Sequence, residues 1–457
     1  MNVENYDILV FGGGKAGKTL AMDQAKAGKK VAMIERGLIG GSCINIACIP
    51  SKTLIRSAEV AHTASQTDPF GTHGTFTTNM HEVRDRTAQV VSQMVETNFK
   101  SFEASGMELV LGWGKFVYPR IIEVSSKKEK RYLTAERIYI NLGTVASIPD
   151  LPGLHETKPM THVEALSLGE LPSHLLVLGG GYIGLELGQA FRRLGSRVTI
   201  LEHGPQIASR EDEDVAKSVQ SALAENMIDV VLNAGDMSFE GKSGKNVTVT
   251  LVDGRSVCGS HLLVATGRKP MTSDIGLDIA GVALDERGFI KVDDHLKTSA
   301  PGIWALGEVA GTPMFTHASL DDYRVAKSGI ENGSYTAIGR TIPYCVFINP
   351  ELARIGLSEK EAKAKGISYR LARLPMFAVP RARTLSQQVG FMKALVGDDD
   401  KVIGFTMLGA QAGEVMTSVQ MAMMGGLPYT AIRDAIIAHP TLAEGLGLLF
   451  AKLERKA

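Results

Sequence analysis

The sequence predicts an α/β protein in which one strand–turn–helix–strand unit is used twice, with a further α/β segment behind it. Three observations carry this. The chain matches itself at an offset of 167, laying DILVFGGGKAGKTLAMDQAKAGKKVAMIER over HLLVLGGGYIGLELGQAFRRLGSRVTILEH. In that match Gly12, Gly14, Gly17, Gly28, Val31 and Glu35 fall on Gly179, Gly181, Gly184, Gly195, Val198 and Glu202. Each copy reads as an apolar run, a glycine turn, a helix, a glycine stop and a second apolar run ending in an acid. Finally, 457 residues exceed what one core holds, and 49 glycines with 17 prolines suit a turn-rich α/β chain.

In chain order, the first element is the run ILVF with the turn GGGKAGKT behind it. The turn satisfies two phosphate-binding patterns. Gly12, Gly14 and Gly17 spell G-x-G-x-x-G, while Gly12, Gly17, Lys18 and Thr19 spell a nucleoside-triphosphate loop. The repeat separates the two, because Lys18 and Thr19 fall on Leu185 and Glu186 while every glycine and the acid recur. A triphosphate site also needs a later strand ending in a magnesium-binding Asp. The runs IYINLG, LLVATG and LLVLGGG end in glycine instead. Both units are therefore expected to be Rossmann-like dinucleotide-binding folds: glycines let backbone N–H groups approach a pyrophosphate, and Glu35 and Glu202 face a ribose. Lys18 then reads as an ordinary helix-surface lysine.

Next comes GGSCINIACIPSK, residues 40–52, close behind the first unit. Cys43 and Cys48 can bridge if the backbone bends sharply, and Pro50 supports an irregular helix start. A thiolate at a helix N-terminus is stabilised by the dipole, and Lys52 adds a positive charge. The four cysteines lack zinc spacing, so no metal site is expected. Cys258, on a polar hairpin, and Cys345 read as structural. Further on, AIIAHPTLAEGLGLLF carries His439, fixed by a proline, and Glu444 to orient it, a pair suited to moving a thiol proton near neutral pH.

Charge balances at 49 against 49, which argues against nucleic acid or a membrane surface as partner. No run reaches the roughly 18 apolar residues of a membrane span, and the start lacks a cationic leader, so a cytoplasmic location is expected.

Together, Gly12–Gly17 with Glu35, GGSCINIACIPSK, GGGYIGLE, LLVATGRKP, IWALGEVAG and HPTLAE resemble the class I pyridine nucleotide-disulfide oxidoreductases over nearly the whole chain. The resemblance implies an FAD-binding domain at 1–150, an NAD(P)-binding domain at 151–270, a central segment at 271–340 completing the FAD domain, and a C-terminal α/β dimerisation domain at 341–457. The implied cofactor-binding set is Gly12, Gly14, Gly17, Glu35, Gly41, Ser42, Lys52, Gly143, Gly179, Gly181, Tyr182, Gly184, Glu202, Gly267, Gly307 and Glu308. The implied catalytic set is Cys43, Cys48, Lys52, Glu186, His439 and Glu444. In this family electrons pass from nicotinamide through FAD to the Cys43–Cys48 disulfide and on to substrate. Cys48 is the thiol beside the flavin and Cys43 the interchange thiol. Lys52 pairs with Glu186 by the flavin, Tyr182 is the gate that the nicotinamide displaces, and His439 with Glu444 comes from the other subunit of an obligate homodimer.

Two positions depart from the family pattern. Glu308 replaces an Asp, and Ala47 replaces a glycine ahead of the second cysteine. Glu202 favours NADH over NADPH, though Arg210 lies near enough to assist a 2′-phosphate.

With no cysteine after Cys345, the chain lacks the C-terminal pair of mercuric reductase. The stretches GKAGKTLA, THASLDDYR and AVPRAR resemble the reactive-chlorine-resistance and mercuric-reductase-like branch. Arg381 and Arg383 read equally as receptors for an anionic oxidant and as solvated loop arginines. The Met416, Met421, Met423 and Met424 stripe reads as core or dimer packing, and SSKKEKR as a solvated hairpin. The expected function is an FAD-dependent NAD(P)H reductase of a disulfide or small oxidant. The alternatives are an Hg(II) or Cu(II) reductase, a dihydrolipoyl dehydrogenase and a slow redox-sensing flavoprotein.

Overall fold

In the computed structural model, which describes residues 2–453, the strand Val3–Phe11 lies inside a seven-stranded sheet. Parallel neighbours flank it, Val31–Glu35 on one side and Lys130–Ile140 on the other. A parallel strand covered on both faces needs continuous apolar sequence; accordingly Leu9, Val10, Ala32 and Met33 have no solvent exposure. Glu108–Leu111 extends one edge, and Ile303–Ala305 returns from late in the chain to pair in parallel with Lys130–Ile140.

The second copy of the repeat builds the same order from different residues. Its four parallel strands run Asp229–Val231, Arg197–Leu201, His174–Leu178, His261–Val264. In both sheets the strand order reverses beside the first strand of the repeat, and ligands of open α/β sheets bind at the carboxyl ends of such switch points. An antiparallel ribbon, Thr144–Ala146 with Arg268–Pro270, joins the two units, and Gly143 and Gly267 lead into its strands.

Residues beyond about 340 form a five-stranded antiparallel sheet: Tyr344–Val346, Glu351–Gly356, Val402–Gly409, Phe391–Val396, Arg370–Pro375. Helix Ala412–Met424 packs on it through Val415, Met416 and Val419. The methionine stripe divides: Met416 is buried in this core, whereas Met421 and Met424 are exposed. Cys258 is exposed on its hairpin, and Ser126 N donates to Glu129 O at 3.0 Å to close the SSKKEKR turn. Among the described residues no helix is long and apolar enough to cross a membrane.

One contact positions the site. Helix Cys48–Ala64 packs along helix Tyr182–Leu194, and Leu54, Ala58, Leu185, Phe191, Val346 and Leu352 share one buried cluster. The cysteine segment, the second glycine turn and the C-terminal sheet therefore meet.

Candidate active site

The two glycine turns are built alike. Gly12 N donates to Ile34 O at 3.0 Å and Asn141 N to Phe11 O at 2.7 Å; their counterparts are Gly179 N to Leu201 O and Ala265 N to Leu178 O, both 2.8 Å. Gly12 and Gly179 take φ values of 108° and 109°, and a Cβ on either would lie 2.5–2.7 Å from the carbonyl of the strand beside it, on Asn141 or Ala265. Only glycine fits there. A Cβ on Gly181, by contrast, would meet open space, which leaves its backbone free to face a ligand. Each acid closes its turn: Glu35 Oε2 accepts from Gly13 N at 3.0 Å, and Glu202 Oε2 from Gly180 N at 2.7 Å. Glu35 Oε1 also accepts from Gly37 N and Glu202 Oε1 from Gly204 N, both at 2.9 Å. Each turn leads into a helix N-terminus with a carboxylate fixed beside it, an arrangement that fits a dinucleotide.

Lys18 corrects the expectation of a helix-surface lysine. It is 5% exposed, and its Nζ donates to Gly40 O at 3.0 Å and Asn98 Oδ1 at 2.7 Å. The first helix packs under the cysteine segment, so this face is covered. Burial, with Lys15 nearby, pushes the ammonium down to about 8. A Cβ on Gly41, next along, would lie 2.9 Å from Gly14 Cα, so the glycine turn and the approach to Cys43 are in direct contact.

Cys43 sits on the short helix Ser42–Asn45 and Cys48 opens helix Cys48–Ala64; both are free thiols. Ala47, between the helices, takes φ −134° and ψ −100° at this bend. Cys48 Sγ lies 3.3 Å from Thr316 Oγ1, at the start of helix Thr316–Ile330. A hydrogen bond from Cys43 pulls the Cys48 thiol down to about 6; Thr316 and the charge of Lys52 assist, against burial. Cys43 moves upward, because its proton is held on Cys48 and it is itself buried. The pair is thus asymmetric, one thiolate beside one thiol.

One turn beyond Cys48, Lys52 Nζ donates to Glu186 Oε2 at 2.7 Å and stands 4.7 Å over the Phe347 ring. Glu186 also accepts from Phe347 N at 2.8 Å, so it ties the cysteine helix, the second glycine turn and the C-terminal sheet together. His439 Nδ1 lies 2.8 Å from Glu444 Oε2, but the imidazole is 69% exposed on the protomer surface. Their bond is to each other, and no hydrogen bond from either reaches residues 40–52. Arg383 Nε donates to Phe377 O, its main chain neighbour in space, at 2.6 Å.

At the first switch point Glu308 accepts from Thr144 Oγ1 and faces Arg268 Nη2 at 3.5 Å, so its extra methylene is absorbed by local donors. The preceding Gly307 is held by Asp322, which accepts from Gly307 N at 2.6 Å and Thr312 Oγ1 at 2.7 Å and pairs with Arg340 Nη1 at 2.6 Å.

Sequence reading missed four residues. Asn141 accepts from Gly17 N and donates to Leu306 O, coupling the first glycine turn to the segment around Gly307. Thr316 and Asp322 lie inside THASLDDYR, a stretch whose resemblance assigns a role to neither. Glu211, in REDED, accepts from the Tyr182 hydroxyl at 2.5 Å. A buried acid is invisible until its partners are placed.

The model of the pyridine nucleotide-disulphide oxidoreductase family matches residues 6–322, and that of its dimerisation domain residues 342–449. The chain is 36% identical to the probable pyridine nucleotide-disulfide oxidoreductase RclA of Escherichia coli, covering 98% of this chain and 99% of that one. It is 34% identical to a mercuric reductase of Bacillus cereus, over 97% of this chain and 71% of the relative. Among solved structures, a Cu(II) complex of the HOCl-induced flavoprotein disulfide reductase RclA from Escherichia coli superimposes with a TM-score of 0.90 at 35% identity, covering 99% of this chain and all of that one.

Proposed function

The chain belongs to the pyridine nucleotide-disulphide oxidoreductase family, flavoprotein oxidoreductases that use FAD and a pyridine nucleotide, and on that premise we propose that it reduces a disulfide or small oxidant through Cys43 and Cys48. The observation that carries this reading is the asymmetric thiol pair between two dinucleotide cradles. When bound, FAD supplies the relay that takes electrons from the nicotinamide and delivers them to the cysteine pair. The glycine turn at Gly12–Gly17, with Glu35 and Asn141, would hold FAD; the turn at Gly179–Gly184, with Glu202, would hold NADH. The Glu202 carboxylate, fixed on its own turn, would accept from a free 2′-hydroxyl and repel a 2′-phosphate, which favours NADH.

Within this reading each residue has one task. Cys48, held as thiolate by Cys43, Thr316 and Lys52, faces the flavin, and Cys43 meets the substrate. Lys52, fixed by Glu186, presents positive charge where negative charge develops. His439, oriented by Glu444, moves the substrate proton in the partner's site, which accounts for its exposure on the single protomer. Reducing the purified protein with dithionite is expected to develop the long-wavelength absorbance of a thiolate beside oxidised flavin. Its absence in wild type, or its survival in Cys48→Ser, would overturn the assignment.

A second reading is favoured by the relatives: one solved as a Cu(II) complex, another a mercuric reductase. On it, the cysteine pair reduces Cu(II) or Hg(II). NADH oxidation in anaerobic buffer should then rise on adding Cu(II) or Hg(II); no rise above the metal-free rate ends this reading. A panel adding oxidised glutathione, lipoamide and hypothiocyanite separates the substrates, and many turnovers on any of them exclude a slow redox sensor.

A further inference from the structure

Resting on the reading that Tyr182 covers the nicotinamide position, we infer that Glu211 is the latch that holds this gate closed. The Tyr182 hydroxyl donates to Glu211 Oε1 at 2.5 Å, and the Tyr344 hydroxyl donates to the same oxygen. Glu211 is 1% exposed, and its other oxygen faces Arg354 Nε at 3.3 Å. Arg354 is itself held by Glu361, 2.6 Å from Nη1, and lies over the Tyr344 ring at 5.2 Å. The rings of Tyr182 and Tyr344 stack with centroids 5.5 Å apart, and Tyr344 stacks in turn on Phe315 at 5.5 Å.

Two features make this a latch on a movable side chain. First, the fixed half, Glu211 with Tyr344 and Arg354, is drawn from two parts of the fold. Tyr182 opens the helix that carries Glu186, and Glu211 follows the second unit's strand Arg197–Leu201, whereas Tyr344 and Arg354 belong to the C-terminal sheet. Second, the fixed half is anchored independently of Tyr182. The adjacent Asp212 accepts from Lys393 Nζ at 2.8 Å and from Lys360 N at 2.9 Å, and the fully buried Lys393 also binds Asp214 and Glu359. Glu211 therefore stays in place whether or not Tyr182 is on it. Burial and the Glu211 charge raise both phenols far above their ordinary range, so both remain donors at any working pH.

Nicotinamide entry requires the Tyr182 ring to swing away, which breaks a buried, charge-assisted hydrogen bond. A ligand that needs a minor open state binds more weakly by the fraction open, so weakening the latch tightens binding. Glu211→Gln keeps the shape and removes the charge; Tyr182→Phe keeps the ring and removes the donor. Each is expected to lower the dissociation constant of NAD⁺ from the FAD-loaded protein about fivefold to tenfold, read by calorimetric titration. The double variant should gain no more than Tyr182→Phe alone, because without the hydroxyl the charge at position 211 has no gate bond left to strengthen. The NADH concentration that half-saturates flavin reduction should fall in parallel.

Tyr182→Ala separates the two ways of being wrong. If it tightens NAD⁺ binding while Glu211→Gln and Tyr182→Phe do not, the gate stands and the latch fails. If it too has no effect, the gate reading itself fails. Should Glu211→Gln fold poorly, Tyr182→Phe still decides, since it leaves Glu211 on Tyr344 and Arg354.

Discussion

Glu35 and Glu202 end equivalent strands and clasp equivalent glycine turns, through Gly13 N at 3.0 Å and Gly180 N at 2.7 Å. The helices that follow share Gly17 with Gly184 and Leu20 with Leu187, and among the aligned positions where they differ are Lys15 against Tyr182, Lys18 against Leu185 and Thr19 against Glu186. Lys18 reaches down to Gly40 O beneath Cys43, while Glu186 reaches across to Lys52 beyond Cys48. Each unit thus sends one charged side chain to the cysteine segment, of opposite sign and one position apart in the repeat. The duplication supplies two cradles, and a few unshared residues turn them into the two walls of a single site.

The largest expected effect breaks the comparison at the cysteines, which only the first unit carries. Cys43→Ser should lower turnover of a disulfide substrate about a thousandfold or more, while one equivalent of NADH still bleaches the flavin in a single-turnover mixing experiment. Equal loss of both half-reactions would mean that the thiols are structural. The remaining thiolate also gives a pH test in wild type. Cys48 has its folded pKa drawn down to about 6, below the ordinary thiol value of about 8.5. The stabilisation it provides is complete above that ordinary value and is lost as pH falls through about 6. The long-wavelength absorbance of the half-reduced protein should fade over the same acid range; a band that persists to pH 4 would place the negative charge on another group.

A smaller effect exchanges the two units at Lys18 and Leu185. Leu185 has no solvent exposure, so Leu185→Lys buries an unpaired ammonium and should cost about 3–5 kcal/mol. Lys18→Leu leaves Gly40 O and Asn98 Oδ1 without their donor and should cost about 1–3 kcal/mol. Urea unfolding of the two variants checks the order; a neutral Lys18→Leu would show that the lysine is tolerated and not needed.

Lys18 also marks where the sequence stopped being legible. The repeat, the glycine turns, the parallel strands and the cysteine segment were readable, because periodicity and turn chemistry are local. The alignment could say only that Lys18 was not shared. What it touches is fixed by the later segments at Gly40 and Asn98, 22 and 80 residues away. Asn141 and Asp322 were illegible for the same reason: a buried polar group declares its role through partners distant in the chain. Glu35 and Glu202 were legible because their partners lie in the repeat itself.

The smallest effect sharpens the comparison at those two acids. Glu35 makes one backbone bond more than Glu202, from Leu38 N at 3.0 Å, but each acid closes only its own turn, so a change in nucleotide preference on neutralising either must come from the ligand it faces. Glu202→Gln retains an acceptor for Gly180 N and removes the charge that repels a 2′-phosphate. The ratio of kcat/KM for NADPH over NADH should rise about tenfold, a change of about 1.4 kcal/mol. Glu35→Gln should leave that ratio unchanged and instead speed the loss of flavin during dialysis. If Glu35→Gln shifted nucleotide preference, or Glu202→Gln released flavin, the cradles would have to be exchanged. If neither changed anything, the carboxylates would serve only to close their own turns, and the discrimination between nucleotides would have to lie with Arg210 or its neighbours.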